Sequence, residues 1–129
     1  MMNKVLLVED DRTMLSLLNT LLRFEGFDAV PLEHQEDLDI VMNFLRQEKP
    51  DLIILDINLR RFSGFDLLRL LKTDPELNNV RVIMASGIDL RDRCLGEGAD
   101  SFILKPFMFD ELIKEIQRIL NLPNTVAES

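Results

Sequence analysis

Leu52-Ile53-Ile54-Leu55-Asp56 is a run of four apolar residues, without alternation, that ends on a carboxylate. Bounded upstream by Pro50-Asp51, so short an apolar run reads as a parallel strand buried on both faces. A strand of that kind has one place for a chemically active polar side chain. It is the carboxyl end, because in open α/β sheets the ligand crevice lies outside that edge. Asp56 stands there. A second run, Val5-Leu6-Leu7-Val8, leads in the same way into Glu9-Asp10-Asp11. If the two strands are neighbours, three or four carboxylates converge on one rim, where they repel and raise one another's pKa values unless a cation sits among them. A hard cation fits such a rim, and Mg²⁺ fits it best. It takes a few carboxylate and carbonyl oxygens and keeps waters that a phosphate can replace.

Outward from these strands the pattern alternates. Met14, Leu17, Leu18, Leu21 and Leu22 recur at helical spacing, with Asp11 as N-cap and Gly26 as the stop, which predicts a helix over Arg12 to Glu25. Phe27 to Leu32 reads as a short strand that Pro31 places at a sheet edge. Helices are expected from Gln35 to Glu48, with Leu38, Val41, Phe44 and Leu45 inward, and from Phe65 to Lys72 after a tight turn at Gly64. Arg81 to Ser86 and Ser101 to Leu104 are further strands, Leu90 to Gly96 a short helix and Asp110 to Leu120 a last one. Strands alternating with helices imply a parallel sheet covered on both faces. Residues 1–121 are expected to form one domain, and 122–129 a polar tail or the first residues of a linker.

Composition narrows the function. Fifteen basic against 23 acidic residues give a net charge of −8, with no basic cluster longer than Arg60-Arg61, which argues against direct nucleic-acid binding. A single cysteine, Cys94, gives neither a disulfide framework nor a thiolate metal site, and suits a reducing cytoplasm. No segment approaches the ~18 apolar residues of a membrane span, and the first residues lack the apolar core of a signal peptide. His34, the only histidine, lies in a polar turn and reads as solvated.

Four strand ends therefore carry polar groups: Glu9 and Asp10, Asp56, Ser86, and Lys105. A carboxylate pair with a metal, a lone carboxylate, a hydroxyl and an ammonium are the parts needed for phosphoryl transfer to an oxygen nucleophile. Metal and lysine neutralise the transferring group, and an ionised aspartate attacks without a base. Val8-Glu9-Asp10-Asp11, Leu52 to Asp56, Leu59 to Gly64, Ala85-Ser86, Gly98-Ala99-Asp100 and Lys105-Pro106-Phe107, in this order and spacing, resemble the receiver domain of two-component response regulators over about residues 3 to 121.

The resemblance implies a flavodoxin-like, doubly wound (βα)5 sheet of five parallel strands in the order 2-1-3-4-5. It implies that Asp56 accepts a phosphoryl group from a histidine on a sensor kinase or phosphotransfer protein. Asp10, Asp56 and the backbone carbonyl of Asn58 would hold Mg²⁺, or Mn²⁺ in its place, with Glu9 acting directly or through water. Lys105, aimed by a cis bond to Pro106, would meet the phosphoryl oxygens. Ser86 and Phe102 would be a switch pair in which the hydroxyl moves toward the phosphoryl group and the ring swings into the vacated space. The output would be binding of an unidentified downstream protein by a stand-alone signalling domain that acts only on its own phosphorylation state.

The chain also departs from the family pattern. Arg60 stands where the family usually has proline, Phe102 lacks the hydroxyl of the usual tyrosine, and Gly87 replaces an alanine. The stretch from Ser86 to Lys105 is about three residues short, and Ile88 is apolar where a polar residue would guide water, which implies slow phosphoaspartate hydrolysis. A pseudo-receiver that binds a partner without phosphorylation is the first alternative. The second, an aspartyl phosphatase on the same topology, would need a cap insertion that the chain lacks.

Overall fold

The structure is a computed structural model that describes residues 2–33 and 37–123. The solvated reading of His34, the expected start of a helix at Gln35 and most of the predicted tail lie outside the described residues. Five strands and five helices alternate: β1 (Lys4–Val8), α1 (Arg12–Phe24), β2 (Asp28–Pro31), α2 (Leu38–Glu48), β3 (Leu52–Asp56), α3 (Gly64–Thr73), β4 (Arg81–Ser86), α4 (Arg91–Gly96), β5 (Ser101–Leu104) and α5 (Phe109–Leu120). The strands form one parallel sheet in the order β2-β1-β3-β4-β5, the flavodoxin-like arrangement expected. β2, with Pro31, lies at the edge, where a missing N–H costs no ladder bond.

β3 is buried along its whole length, and its side chains alternate between two cores. Ile53 and Leu55 join Leu6, Val8, Val82, Met84 and Phe102 under α2, α3 and α4. Leu52 and Ile54 join Val5, Leu7 and Ile83 under α1 and α5, against Leu18, Leu22, Leu112 and Ile116. Each fully buried aliphatic side chain contributes about 1.5–3 kcal/mol, so the central strand fixes both layers at once. Its neighbours are in register, with Val8 opposite Leu55 and Asp56 opposite Ala85. The polar ends of β1, β3 and β4 therefore emerge on one rim. Among the described residues, no helix is long and apolar enough to cross a membrane.

Two details differ from the sequence reading. Leu17, assigned to the inner stripe of α1, is half exposed, and Leu15 packs inward instead. The stripe is narrower than the four periodic leucines and one methionine suggested. Gly64 is not a turn residue. It opens α3 behind the N-cap Ser63, whose hydroxyl accepts from Phe65 N–H while Asp66 accepts from Ser63 N–H. Glycine is required by close approach, since a Cβ there would lie 2.5 Å from the Asp56 carbonyl oxygen and 2.8 Å from Ile57 Cα. Gly64 N–H donates to the Ile57 carbonyl at 2.9 Å, which draws the helix start against the end of β3.

Gly64→Ala is therefore expected to lower the free energy of urea unfolding by about 1–3 kcal/mol, the usual cost of overpacking. Gly87→Ala, where a Cβ meets nothing within 4 Å, should stay within about 0.5 kcal/mol of wild type. The chain has no Trp or Tyr, so far-ultraviolet circular dichroism is the measurement.

Candidate phosphoacceptor site

β1 ends at Val8, and the chain turns at once because Asp11 caps α1, its carboxylate accepting from Thr13 and Met14 N–H. That short turn leaves Glu9 and Asp10 at the rim. Asp56 ends β3 beside them, and β5 delivers Lys105 two strands further on. Glu9, Asp10, Asp56, Asn58 and Lys105 line one open cleft of about 600 Å³, together with Asp11, Arg12 and Arg60.

The electrostatics centre on two carboxylates. Asp56 is buried, and burial pushes its carboxyl up to about 6. The neighbouring Glu9 carboxylate adds to the rise, while Lys105 and the Asn58 N–H oppose it. Lys105 Nζ donates to Glu9 Oε1 at 2.7 Å and lies 3.4 Å from Asp56 Oδ2. Burial would lower the ammonium's pKa, but the bond to Glu9 and the two negative charges outweigh it and hold Lys105 above the ordinary lysine value. Asn58 N–H approaches Asp56 Oδ1 at 3.3 Å. Asp10 is engaged differently, accepting a hydrogen bond from the backbone N–H of Arg60 across the cleft.

The three or four carboxylates expected on one rim are there, since Glu9, Asp10, Asp11 and Asp56 all line the cleft. Among the described residues, no three His, Cys, Asp or Glu side chains are gathered so as to hold a metal ion, and Glu9 and Asp10 are each bonded to a donor of the protein. The donor chemistry nevertheless suits a hard cation: four carboxylates on one wall, one of them carrying a raised pKa that a positive charge would lower.

Ser86 and Phe102, the expected switch pair, are both buried outside the cleft. Ser86, at the end of β4, is fully buried, and its hydroxyl accepts from Ile88 N–H at 3.1 Å without lining the cleft. The Phe102 ring is already inward, part of the core under α4, with the Arg91 guanidinium 5.7 Å from its centroid. In the conformation described the ring thus already stands inward. Ile88 is two-thirds exposed. The bond between Lys105 and Pro106 is cis, as expected. α4 has only six residues, in line with the shortened segment. Cys94 is buried within it, and burial pushes its thiol up.

The sequence reading missed Arg12 and Arg60 as cleft residues. Arg60 is exposed, and only the adjacency of β1 and β3 reveals that its main chain reaches Asp10.

With this geometry in view, comparison with known proteins gives a consistent result. Residues 5–117 match the family model of the response regulator receiver domain, and the chain belongs to that family. It is 38% identical over 122 residues to the transcriptional regulatory protein CpxR of Escherichia coli K12, covering 92% of this chain and 50% of CpxR. The chain spans about half the length of the curated relatives it matches. The receiver domain of a signal transduction histidine kinase from Syntrophus aciditrophicus superposes with a TM-score of 0.79 at 33% identity, over 92% of this chain and 89% of that one. The receiver domain of the sensor histidine kinase PA1611 of Pseudomonas aeruginosa, with a magnesium ion in its active-site cleft, superposes with a TM-score of 0.82 at 24% identity, over 95% and 100%. Its likeness is one of fold.

The raised carboxyl has a thermodynamic consequence. Between its ordinary value of 3.8 and about 6, the folded protein binds a proton that the unfolded chain does not. Stability from this group is full below the lower value and is lost as pH rises through about 6. In EDTA at pH 8, Asp56→Asn is therefore expected to be more stable than wild type by on the order of 1–2 kcal/mol, the gap closing toward pH 4. Urea melts across that pH range check it; equal stabilities at pH 8 would contradict it.

Proposed function

We propose that the domain is a phosphorylation-controlled switch in which Asp56 accepts the phosphoryl group. The observation that carries this reading is the convergence of a buried strand-end carboxylate, a second carboxylate and the Lys105 ammonium at 2.7 and 3.4 Å. The ionised Asp56 forms a bond to phosphorus as the bond from phosphorus to a donor histidine nitrogen breaks, so no base is needed. Lys105, already charged, turns from Glu9 toward the incoming oxygens, and Asn58 N–H keeps the carboxylate oriented. Ser86 accepts from Ile88 N–H and so retains its own proton for a phosphoryl oxygen. A divalent cation held by Asp10, Asp56 and the Asn58 carbonyl, with Glu9 near, would supply positive charge to the transferring group; Mg²⁺ is the natural choice and Mn²⁺ the substitute.

The donor would be a sensor histidine kinase or a phosphotransfer protein, in a cytoplasmic setting. Movement of Ser86 would release Ile88 N–H and loosen the β4–α4 connection as the first step outward. Leu95, Leu104 and Met108 are exposed on α4, on β5 and just before α5. They offer apolar contact to a downstream protein whose binding depends on that state. Ile88, exposed and apolar, gives an attacking water no polar guide, so the phosphorylated state should be long-lived.

Incubation with MgCl2 and acetyl phosphate, read by intact mass, tests the proposal. One phosphoryl group (~80 Da) should be gained by wild type. The gain should be abolished by EDTA and by Asp56→Asn. A folded wild type that binds Mg²⁺ but gains no mass from acetyl phosphate or from a panel of histidine kinases would favour the phosphorylation-independent alternative.

A further inference from the structure

The contact between Asp10 and Arg60 joins residues 50 apart in the chain, and its donor is a main-chain group on a constrained loop. Asn58 and Ser63 form an antiparallel bridge, Leu59 N–H donates to the Ile57 carbonyl at 3.2 Å and Gly64 N–H to the same carbonyl at 2.9 Å. Leu59 and Phe62 pack against the core, which pins the loop tip over the end of β1. The Arg60 amide is therefore presented to Asp10 by the fold and does not drift there with a flexible side chain. Glu9 and Asp56 are near each other, yet no third carboxylate joins them in metal-holding geometry among the described residues. Asp10 lines the same cleft, and its carboxylate is bonded to Arg60 N–H.

We propose that the Arg60 main chain is an intramolecular competitor for the metal carboxylate: capture of a divalent cation exchanges Arg60 N–H···Asp10 for a metal–oxygen contact. The inference rests on the metal reading of the proposed function and adds to it a brake on cation affinity.

A substitution pair isolates the N–H. Arg60→Ala and Arg60→Pro both remove the guanidinium, which itself repels a cation in the cleft, but only proline removes the amide donor. Calorimetric titration of the full chain with MgCl2 should show Arg60→Pro binding about tenfold more tightly than Arg60→Ala, as expected for loss of a competing charge-assisted bond. In wild type, the ¹H–¹⁵N resonance of Arg60 should be downfield and slow to exchange in EDTA, and should move upfield on saturation with MgCl2. This second readout stands even if the proline variant fails to fold. Equal or weaker binding by Arg60→Pro relative to Arg60→Ala, or an Arg60 amide unmoved by saturating MgCl2, would overturn the competitor role and leave the metal site intact. No binding by wild type and both variants would overturn the metal reading itself, and the inference with it.

Discussion

The ends of β1 and β3 bring two carboxylates, Glu9 and Asp56, into one buried corner, and the ammonium of Lys105 lies against both. Carboxylates so placed cannot both ionise freely in a poorly solvated setting. Lys105 compensates part of the charge, and the raised Asp56 carboxyl is what remains uncompensated. The protein holds this arrangement because its strands leave no alternative: both are buried, in register and parallel, so their polar termini must emerge together. The stability forgone at the rim is small beside the apolar burial that fixes the strands. A site of this kind is poised for any reaction that brings positive charge to the corner or converts Asp56 to an ester-like group.

Positioning comes from short connections. Asp11 starts α1 two residues after Glu9, and Gly64 lets α3 start against the carbonyl of Asp56. The cleft is thus framed by helix starts and strand ends, with little loose chain near the acceptor. Away from the cleft, where α2 and α3 end, Arg46 grips Asp74 at 2.7 and 2.9 Å and holds its carboxyl below the usual range, tying α2 to the end of α3. The β3–α3 loop is itself held by the Asn58–Ser63 bridge and by Leu59 and Phe62 against the core.

Much of this was legible in the residues themselves. Apolar runs ending on Glu9, Asp56, Ser86 and Lys105 give strand type, parallel packing and the location of the site, because a buried strand has only its ends for polar chemistry. β4 and β5 fall on the expected residues, since both are apolar runs with sharp polar boundaries. Side-chain pose was not legible. Nothing in the spacing says that Phe102 is already inward under Arg91, or that Ser86 is bonded to Ile88. Both depend on how α4 sits on β5, and a six-residue helix leaves little periodicity to read. Gly64 shows a third limit: a glycine in a loop suggests a turn, whereas here the missing Cβ makes room for the carbonyl end of β3. The Arg60 contact was invisible for a related reason, since its donor is backbone and every residue but proline carries it.

The charge balance at the corner is the centre of this account, and ¹³C-detected titration of the Asp56 side-chain carboxyl addresses it most directly, in EDTA and again in saturating MgCl2. A midpoint near 6 without metal, falling by at least about one unit with it, is the predicted result. A midpoint near the ordinary aspartate value in EDTA, unmoved by MgCl2, would mean that the corner is neither charge-strained nor a cation site, and would contradict the account.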